Sequence, residues 1–182
     1  MNKERYYVFF DIDGTLWDCV YRMYNKTELL KPESMKALNY LLDELDKKYD
    51  LQIIMTSRRR YLFKETCELL YNSGLDRKYN KIGKTPWVEG NRGKKILDFM
   101  KNDGYKVVYE NNSIKNKLAK LFNVNIFKNY VVLDDDYEGV KDYIPDDRII
   151  SPNIATNALD FSMVKEFLSA EGIIDKVEKH ER

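Results

Sequence analysis

The sequence predicts an α/β protein with a parallel sheet covered by helices. Three observations carry this. Strand-like apolar runs alternate with amphipathic stretches of helical period. The runs Tyr6 to Phe10 and Tyr130 to Leu133 are apolar throughout, as strands buried on both faces are. Each of these two runs ends in acids, Asp11-Ile12-Asp13 and Asp134-Asp135-Asp136, where open α/β sheets gather their ligands.

The elements follow in order. Tyr6 to Phe10 is the first strand. Pro32-Glu33-Ser34 opens a helix running to about Tyr49, with Met35, Leu38, Leu41, Leu42 and Leu45 at helical spacing and Pro32 in the first turn. Leu51 to Met55 is the second strand. Arg60 to Asn72 is a helix that Ser73-Gly74 stops. Lys81-Ile82-Gly83 reads as a short strand before the Thr85-Pro86 break, and Gly93 to Lys101 as a helix with Ile96, Leu97 and Met100 on one side. Tyr105 to Tyr109 is strand-like, and Ser113 to Phe122 is an amphipathic helix with Ser113 as its cap. Tyr130 to Leu133 and Arg148 to Ile150 are the remaining strands, and Phe161 to Leu168 is a closing helix. The charged end from Asp175 to Arg182 is expected to fray. There are no repeats and no low-complexity linker.

At 182 residues the chain fits one domain, with 43% hydrophobic and 13% aromatic residues to build a core. A net charge of +1, from 31 basic and 30 acidic residues, excludes a global nucleic-acid footprint but leaves local basic clusters open. Two cysteines make no disulfide framework, no signal peptide precedes the first strand, and no apolar run is of membrane-helix length. A cytoplasmic protein with no membrane partner is expected. The oligomeric state stays open.

The chemistry begins at Asp11 and Asp13. Two carboxylates at one strand end repel each other and call for a counter-charge, and a hard divalent cation prefers such oxygen ligands. The only histidine is His180 in the charged tail, so no Ser/His pair is available.

Phe9-Phe10-Asp11-Ile12-Asp13-Gly14-Thr15-Leu16 resembles the first motif of the haloacid dehalogenase (HAD) superfamily of aspartyl phosphohydrolases. Three further pieces follow in order. Ile53-Ile54-Met55-Thr56-Ser57 resembles the second motif, with Thr56 as first choice for a phosphate contact and Ser57 as second, although Thr-Ser after a strand also caps helices. Arg92-Gly93-Lys94-Lys95-Ile96 resembles the third, with Arg92 in place of the usual lysine and Lys95 as the second candidate cation. Val131-Val132-Leu133-Asp134-Asp135 resembles the fourth, leaving Asp136 spare.

The resemblance implies a Rossmann-like three-layer parallel sheet over residues 1–182, with a minimal cap. Leu16 to Lys31 allows only a short flap, and Gly74 to Asn91 is too short for a folded cap. It also implies a magnesium-dependent phosphomonoesterase. Asp11 would be the nucleophile and Asp13 the acid and base. Magnesium would be held by Asp11, the Asp13 carbonyl, and Asp134 or Asp135. Asp13 argues against a dehalogenase, since carbon–halogen cleavage has no leaving oxygen to protonate.

Arg60, Thr85-Pro86 and Arg92-Gly93 further resemble a capless HAD group tied to RNA repair and polynucleotide phosphatases, although Arg59 and Lys95 replace that group's Trp and Glu. This implies a phosphorylated substrate at an open site, such as a nucleic-acid 3′-phosphate end. Arg58 or Arg60 would grip a second phosphate, and Trp17 would line the mouth or sit in the core. The 103–129 stretch before the last motif is an insertion, read as a β-α excursion on the sheet edge or as a polynucleotide platform. The competing readings are a small-molecule phosphatase or 5′-nucleotidase, and a catalytically silent binding module.

Overall fold

The computed structural model describes residues 3–86, 91–102, 128–152 and 158–175. The chain forms β1 (Arg5–Phe10), α1 (Cys19–Asn25), α2 (Pro32–Asp46), β2 (Asp50–Met55), α3 (Phe63–Asn72), β3 (Ile82–Lys84), α4 (Arg92–Asn102), β4 (Tyr130–Leu133), α5 (Tyr137–Lys141), β5 (Ile149–Ile150) and α6 (Phe161–Ala170). Short 3-10 turns cover Arg58–Leu62 and Asp146–Arg148. All five strands are parallel, in the order β3-β2-β1-β4-β5. The expected parallel α/β sheet is therefore present, and its Rossmann-like layering follows from β1. The expected strand at 105–109, the helix at 113–122, nearly all of the 103–129 insertion and the 176–182 tail lie outside the described residues.

Strand β1 is buried on both faces because its side chains alternate between two cores. Tyr6, Val8 and Phe10 pack with Met35, Leu38, Leu41, Leu42 and Leu45 of α2 and with Val164 and Leu168 of α6. Tyr7 and Phe9 pack on the opposite face with Ile96, Leu97 and Met100 of α4 and with Val140 of α5. Helix, sheet and helix make the three layers. The apolar spacing read from α2 and α4 is the spacing that is buried.

The strand order puts the switch point between β1 and β4, where the connections leave toward opposite sides. A crevice opens there at the carboxyl ends. Asp11 N–H donates to the Leu133 carbonyl at 2.9 Å and Asp134 N–H to the Ile150 carbonyl at 3.2 Å, so the ladder carries both acids to this edge. Among the described residues, no helix is long and apolar enough to cross a membrane.

The flap contains a helix that periodicity did not reveal. Helix α1 is only seven residues long, and Val20, Met23 and Tyr24, although spaced as on one helix face, are exposed. Its start is set by Asp18, whose carboxylate accepts from the N–H groups of Val20 and Tyr21 at 2.8 and 3.2 Å. Its end is Lys26, at φ +48°, in the left-handed region where a Cβ is costly. Lys26→Gly is expected to stabilise the protein by about 0.5–1 kcal/mol, because glycine holds this cap without strain. A urea midpoint no higher than wild type would show that the cap is not strained.

Candidate active site

Three carboxylates converge at the switch point. Oxygens of Asp11, Asp134 and Asp135 all lie within 4.8 Å of one another. Asp11 and Asp134 are buried, at 4% and 0% exposure, and Asp135 is half-buried. Asp11 Oδ1 and Asp134 Oδ2 are buried with no hydrogen-bond partner. Buried carboxylate oxygens are rarely left so, and the two are of the type that can ligate a cation.

One cation already enters the cluster. Arg92 Nη1 donates to Asp11 Oδ2 at 3.0 Å and also to Asp134 Oδ1. Arg92 is the first residue of α4, and Asn91 caps that helix by accepting from the Gly93 N–H at 2.9 Å. Gly93 allows the approach: a Cβ there would sit 2.7 Å from the Val140 carbonyl oxygen and 3.0 Å from Tyr143 Cβ. A larger residue would push α4, and Arg92 with it, away from the acids. Lys95, the other candidate, lies one turn on among Arg58, Arg60 and Arg92. Burial and these three guanidinium groups push its pKa down.

The imbalance remains large. Fully ionised, the three carboxylates would outnumber by two the one guanidinium in contact with them, in a poorly solvated crevice. Burial raises the Asp134 pKa from 3.8 to about 7; Arg92 works against this rise and Asp11 adds to it. Burial and Asp11 also raise that of Asp135. A divalent cation would cancel the excess. An octahedral magnesium ion with oxygens at about 2.1 Å sets its ligands roughly 3–4 Å apart, and the three oxygens lie within 4.8 Å of one another, so small side-chain shifts would bring them to that span. The residues therefore fit magnesium by charge, by ligand type and by span.

Asp135 is held by the turn after β1. Thr15 Oγ1 donates to Asp135 Oδ1 at 3.2 Å and accepts from the Asp135 N–H at 3.0 Å. Gly14 is at φ +82°, and a Cβ on it would lie 2.3 Å from Asp135 Oδ2. Gly14→Ala is expected to cost about 1–2 kcal/mol in backbone strain. It is also expected to weaken magnesium binding at least about tenfold by displacing the Asp135 carboxylate. Calorimetric titration with magnesium measures this, and an unchanged affinity would mean that Asp135 is no ligand.

Asp13 lies outside the acidic trio. Its carboxylate is half-exposed and accepts from Arg59 Nε at 2.8 and 3.1 Å. Arg59 in turn stacks on Trp17, its guanidinium 3.9 Å from the ring centre. The Trp17 ring meets the guanidinium of Arg22 as well, at 4.8 Å, and is itself partly buried against the core.

The run after β2 separates into distinct jobs. Thr56 is buried, and its Oγ1 has no partner, as suits a phosphate contact. Ser57 Oγ accepts from the Arg59 N–H at 3.2 Å and caps the 3-10 turn. Arg58 is exposed. Arg60, expected to reach over the site, is buried, and its Nη1 donates to the Thr56 and Ser57 carbonyls at 2.8 and 2.7 Å, fixing the loop that presents Thr56. Asp136, read as spare, caps α5 by accepting from the Gly139 N–H at 3.0 Å. Thr15 and Arg59 are the site residues the sequence reading did not assign. Thr15 stood inside the first motif, and Arg59 stood between the two arginines preferred to it.

Comparison of the chain with protein-family models, curated proteins and solved structures gives no match.

Proposed function

We propose that the protein is a magnesium-dependent phosphomonoesterase of the HAD type, working through an aspartyl-phosphate. The observation that carries the reading is the buried trio of Asp11, Asp134 and Asp135, with two orphaned oxygens, beside the orphaned hydroxyl of Thr56.

Asp11, Asp134 and Asp135 would hold the ion. When bound, magnesium neutralises charge on the phosphoryl group and clamps it in place. An Asp11 oxygen then forms a bond to phosphorus as the ester P–O bond breaks in line. Asp13, in its acid form, gives its proton to the leaving oxygen, and takes one back from the water that opens the aspartyl-phosphate. Arg59 orients Asp13 for both transfers. Thr56 Oγ1 donates to a phosphoryl oxygen, and Arg92 offsets the charge on Asp11 and phosphate together. Arg60 acts through the loop carbonyls and so positions Thr56.

The substrate we propose is a phosphorylated nucleic-acid end, with a 3′-phosphate first. The short flap and the cations Lys26 and Arg58, neither of them ion-paired among the described residues, support it. The test is phosphate release with magnesium from a 3′-phosphorylated oligonucleotide and a matched 3′-mononucleotide, with Asp11→Asn as control. Release mainly from the oligonucleotide supports the end-directed reading. Release mainly from the mononucleotide moves the function to small phosphate esters. No release from either, nor from aryl phosphates, would reject the phosphatase.

A further inference from the structure

The turn after β1 folds back on itself and sets Trp17 beside Asp13. Leu16 N–H and Trp17 N–H both donate to the Ile12 carbonyl at 2.9 Å, and Gly14 N–H donates to the Trp17 carbonyl at 3.0 Å. The indole packs against the main core, and its Nε1 is buried with no acceptor among the described residues. A buried indole N–H is usually paired, and a phenylalanine would fill this place without an unpaired donor. What the indole adds is its face, the strongest cation–π surface among the side chains. Arg59 lies on that face, its guanidinium 3.9 Å from the ring centre.

Arg59 bridges two loops. Its backbone is pinned at both polar groups: the N–H donates to Ser57 Oγ at 3.2 Å, and the carbonyl accepts from Thr66 Oγ1 at 3.1 Å. Its side chain then reaches from the loop after β2 to the turn after β1, where Nε donates to both Asp13 oxygens at 2.8 and 3.1 Å. Among the described residues, no other side chain donates to Asp13. Both partners are partly exposed, at 29% and 46% of their side chains. An ion pair of that kind is worth little by itself, because fixing two flexible side chains offsets most of the attraction. The stack on Trp17 fixes one of the two beforehand. Without it, other staggered rotamers open to Arg59 and then to Asp13.

We propose that Trp17 is a positioning residue for the proton transfers of Asp13, acting by holding Arg59 in the rotamer that aims the carboxylate. This rests on the phosphomonoesterase reading and deepens it. The resemblance to the capless group does not imply it, because Arg59 stands where that group carries Trp. In the first transfer the Asp13 O–H bond breaks and the leaving oxygen takes the proton as the ester P–O bond breaks. In the second, a water oxygen bonds to phosphorus, the bond from Asp11 to phosphorus breaks, and the water's proton goes to Asp13. An alkoxide leaves poorly without the first proton, whereas a nitrophenolate leaves without one. The Trp17–Arg59 stack therefore governs the esters of alcohols, the class to which sugar and nucleotide phosphates belong.

The test compares a nucleoside 3′-phosphate with p-nitrophenyl phosphate, in magnesium, for wild type, Trp17→Leu, Trp17→Phe and Arg59→Gln. kcat/KM reads only the steps up to release of the alcohol, so it reports the first transfer alone. The alkyl-to-aryl ratio of kcat/KM should fall about tenfold or more in Trp17→Leu and in Arg59→Gln, as a misaimed proton donor implies. With the aryl ester kcat should fall further than kcat/KM and a burst of nitrophenol should appear, since the second transfer still needs Asp13. Trp17→Phe should recover most of the ratio lost in Trp17→Leu, because a phenyl face still carries a guanidinium. The double variant Trp17→Leu with Arg59→Gln should lose little more than either single one, as residues acting in series do. A ratio that falls in Arg59→Gln but not in Trp17→Leu overturns the inference, since Arg59 would then act unaided. Equal loss of kcat/KM on both esters, or a ratio intact in every variant, also overturns it and leaves the phosphatase standing. If wild type releases phosphate from neither ester, the phosphatase reading falls and takes the inference with it.

Discussion

Asp11→Asn is expected to reduce magnesium-dependent phosphate release by about 10⁴-fold or more while leaving the fold intact. The size follows from losing a nucleophile whose partners cannot act without it. An amide cannot form the aspartyl-phosphate, and Thr56 and Arg92 alone can only stabilise charge. The fold should survive because asparagine has the same shape and the site carries excess negative charge. Arg92 would keep its bond to Asp134, and β1 would keep its ladder, since Asp11 N–H bonds to the Leu133 carbonyl at 2.9 Å. Phosphate release and the thermal transition, measured on the same preparation, read the two halves. A variant that retained wild-type rate would end the covalent scheme. A variant that lost rate and fold together would show that Asp11 is structural.

Much of this site was legible in the sequence, and the reasons are physical. A strand buried on both faces cannot alternate, so Tyr6 to Phe10 and Tyr130 to Leu133 stood out as apolar runs. Acids directly after such runs must lie at the sheet's carboxyl edge, which placed Asp11, Asp134 and Asp135 together before any geometry was known. Arg92 was legible through the resemblance of Arg92-Gly93-Lys94-Lys95-Ile96 to the third motif, and the close approach that Gly93 permits became visible only in the structure. The arginine run was harder. Arg58, Arg59 and Arg60 are adjacent, and their directions depend on whether the turn has three residues or 3.6. The turn is 3-10, which sends Arg59 to Asp13, buries Arg60 against the Thr56 and Ser57 carbonyls and leaves Arg58 in solvent. Helix α1 was illegible for another reason. It is only seven residues long and leaves its apolar residues Val20, Met23 and Tyr24 exposed, although their spacing is helical and Asp18 caps it.

Asp134→Asn is expected to make the metal-free protein more stable at neutral pH while removing most of its magnesium affinity. Asp134 is fully buried between Arg92 and the other two acids. Its pKa, raised by burial from 3.8 to about 7, means that the folded state takes up a proton that the unfolded chain releases near pH 4. Between those values the folded protein binds more protons than the unfolded one, so stability falls as pH rises from about 4 to 7 and levels off above. The full displacement corresponds to roughly 4 kcal/mol at pH 8, a ceiling that water entry into the crevice reduces. Asparagine stays neutral across the range. The variant should gain about 2 kcal/mol over metal-free wild type at pH 8 and nothing near pH 4. Magnesium should reverse the order, stabilising wild type by mass action and the variant little. Urea unfolding at pH 4.5 and 8, with and without magnesium, measures all four states. A variant less stable than metal-free wild type at pH 8 would mean that the bond to Arg92 outweighs the cost of burying Asp134. The charge argument for a cation at this site would then fail.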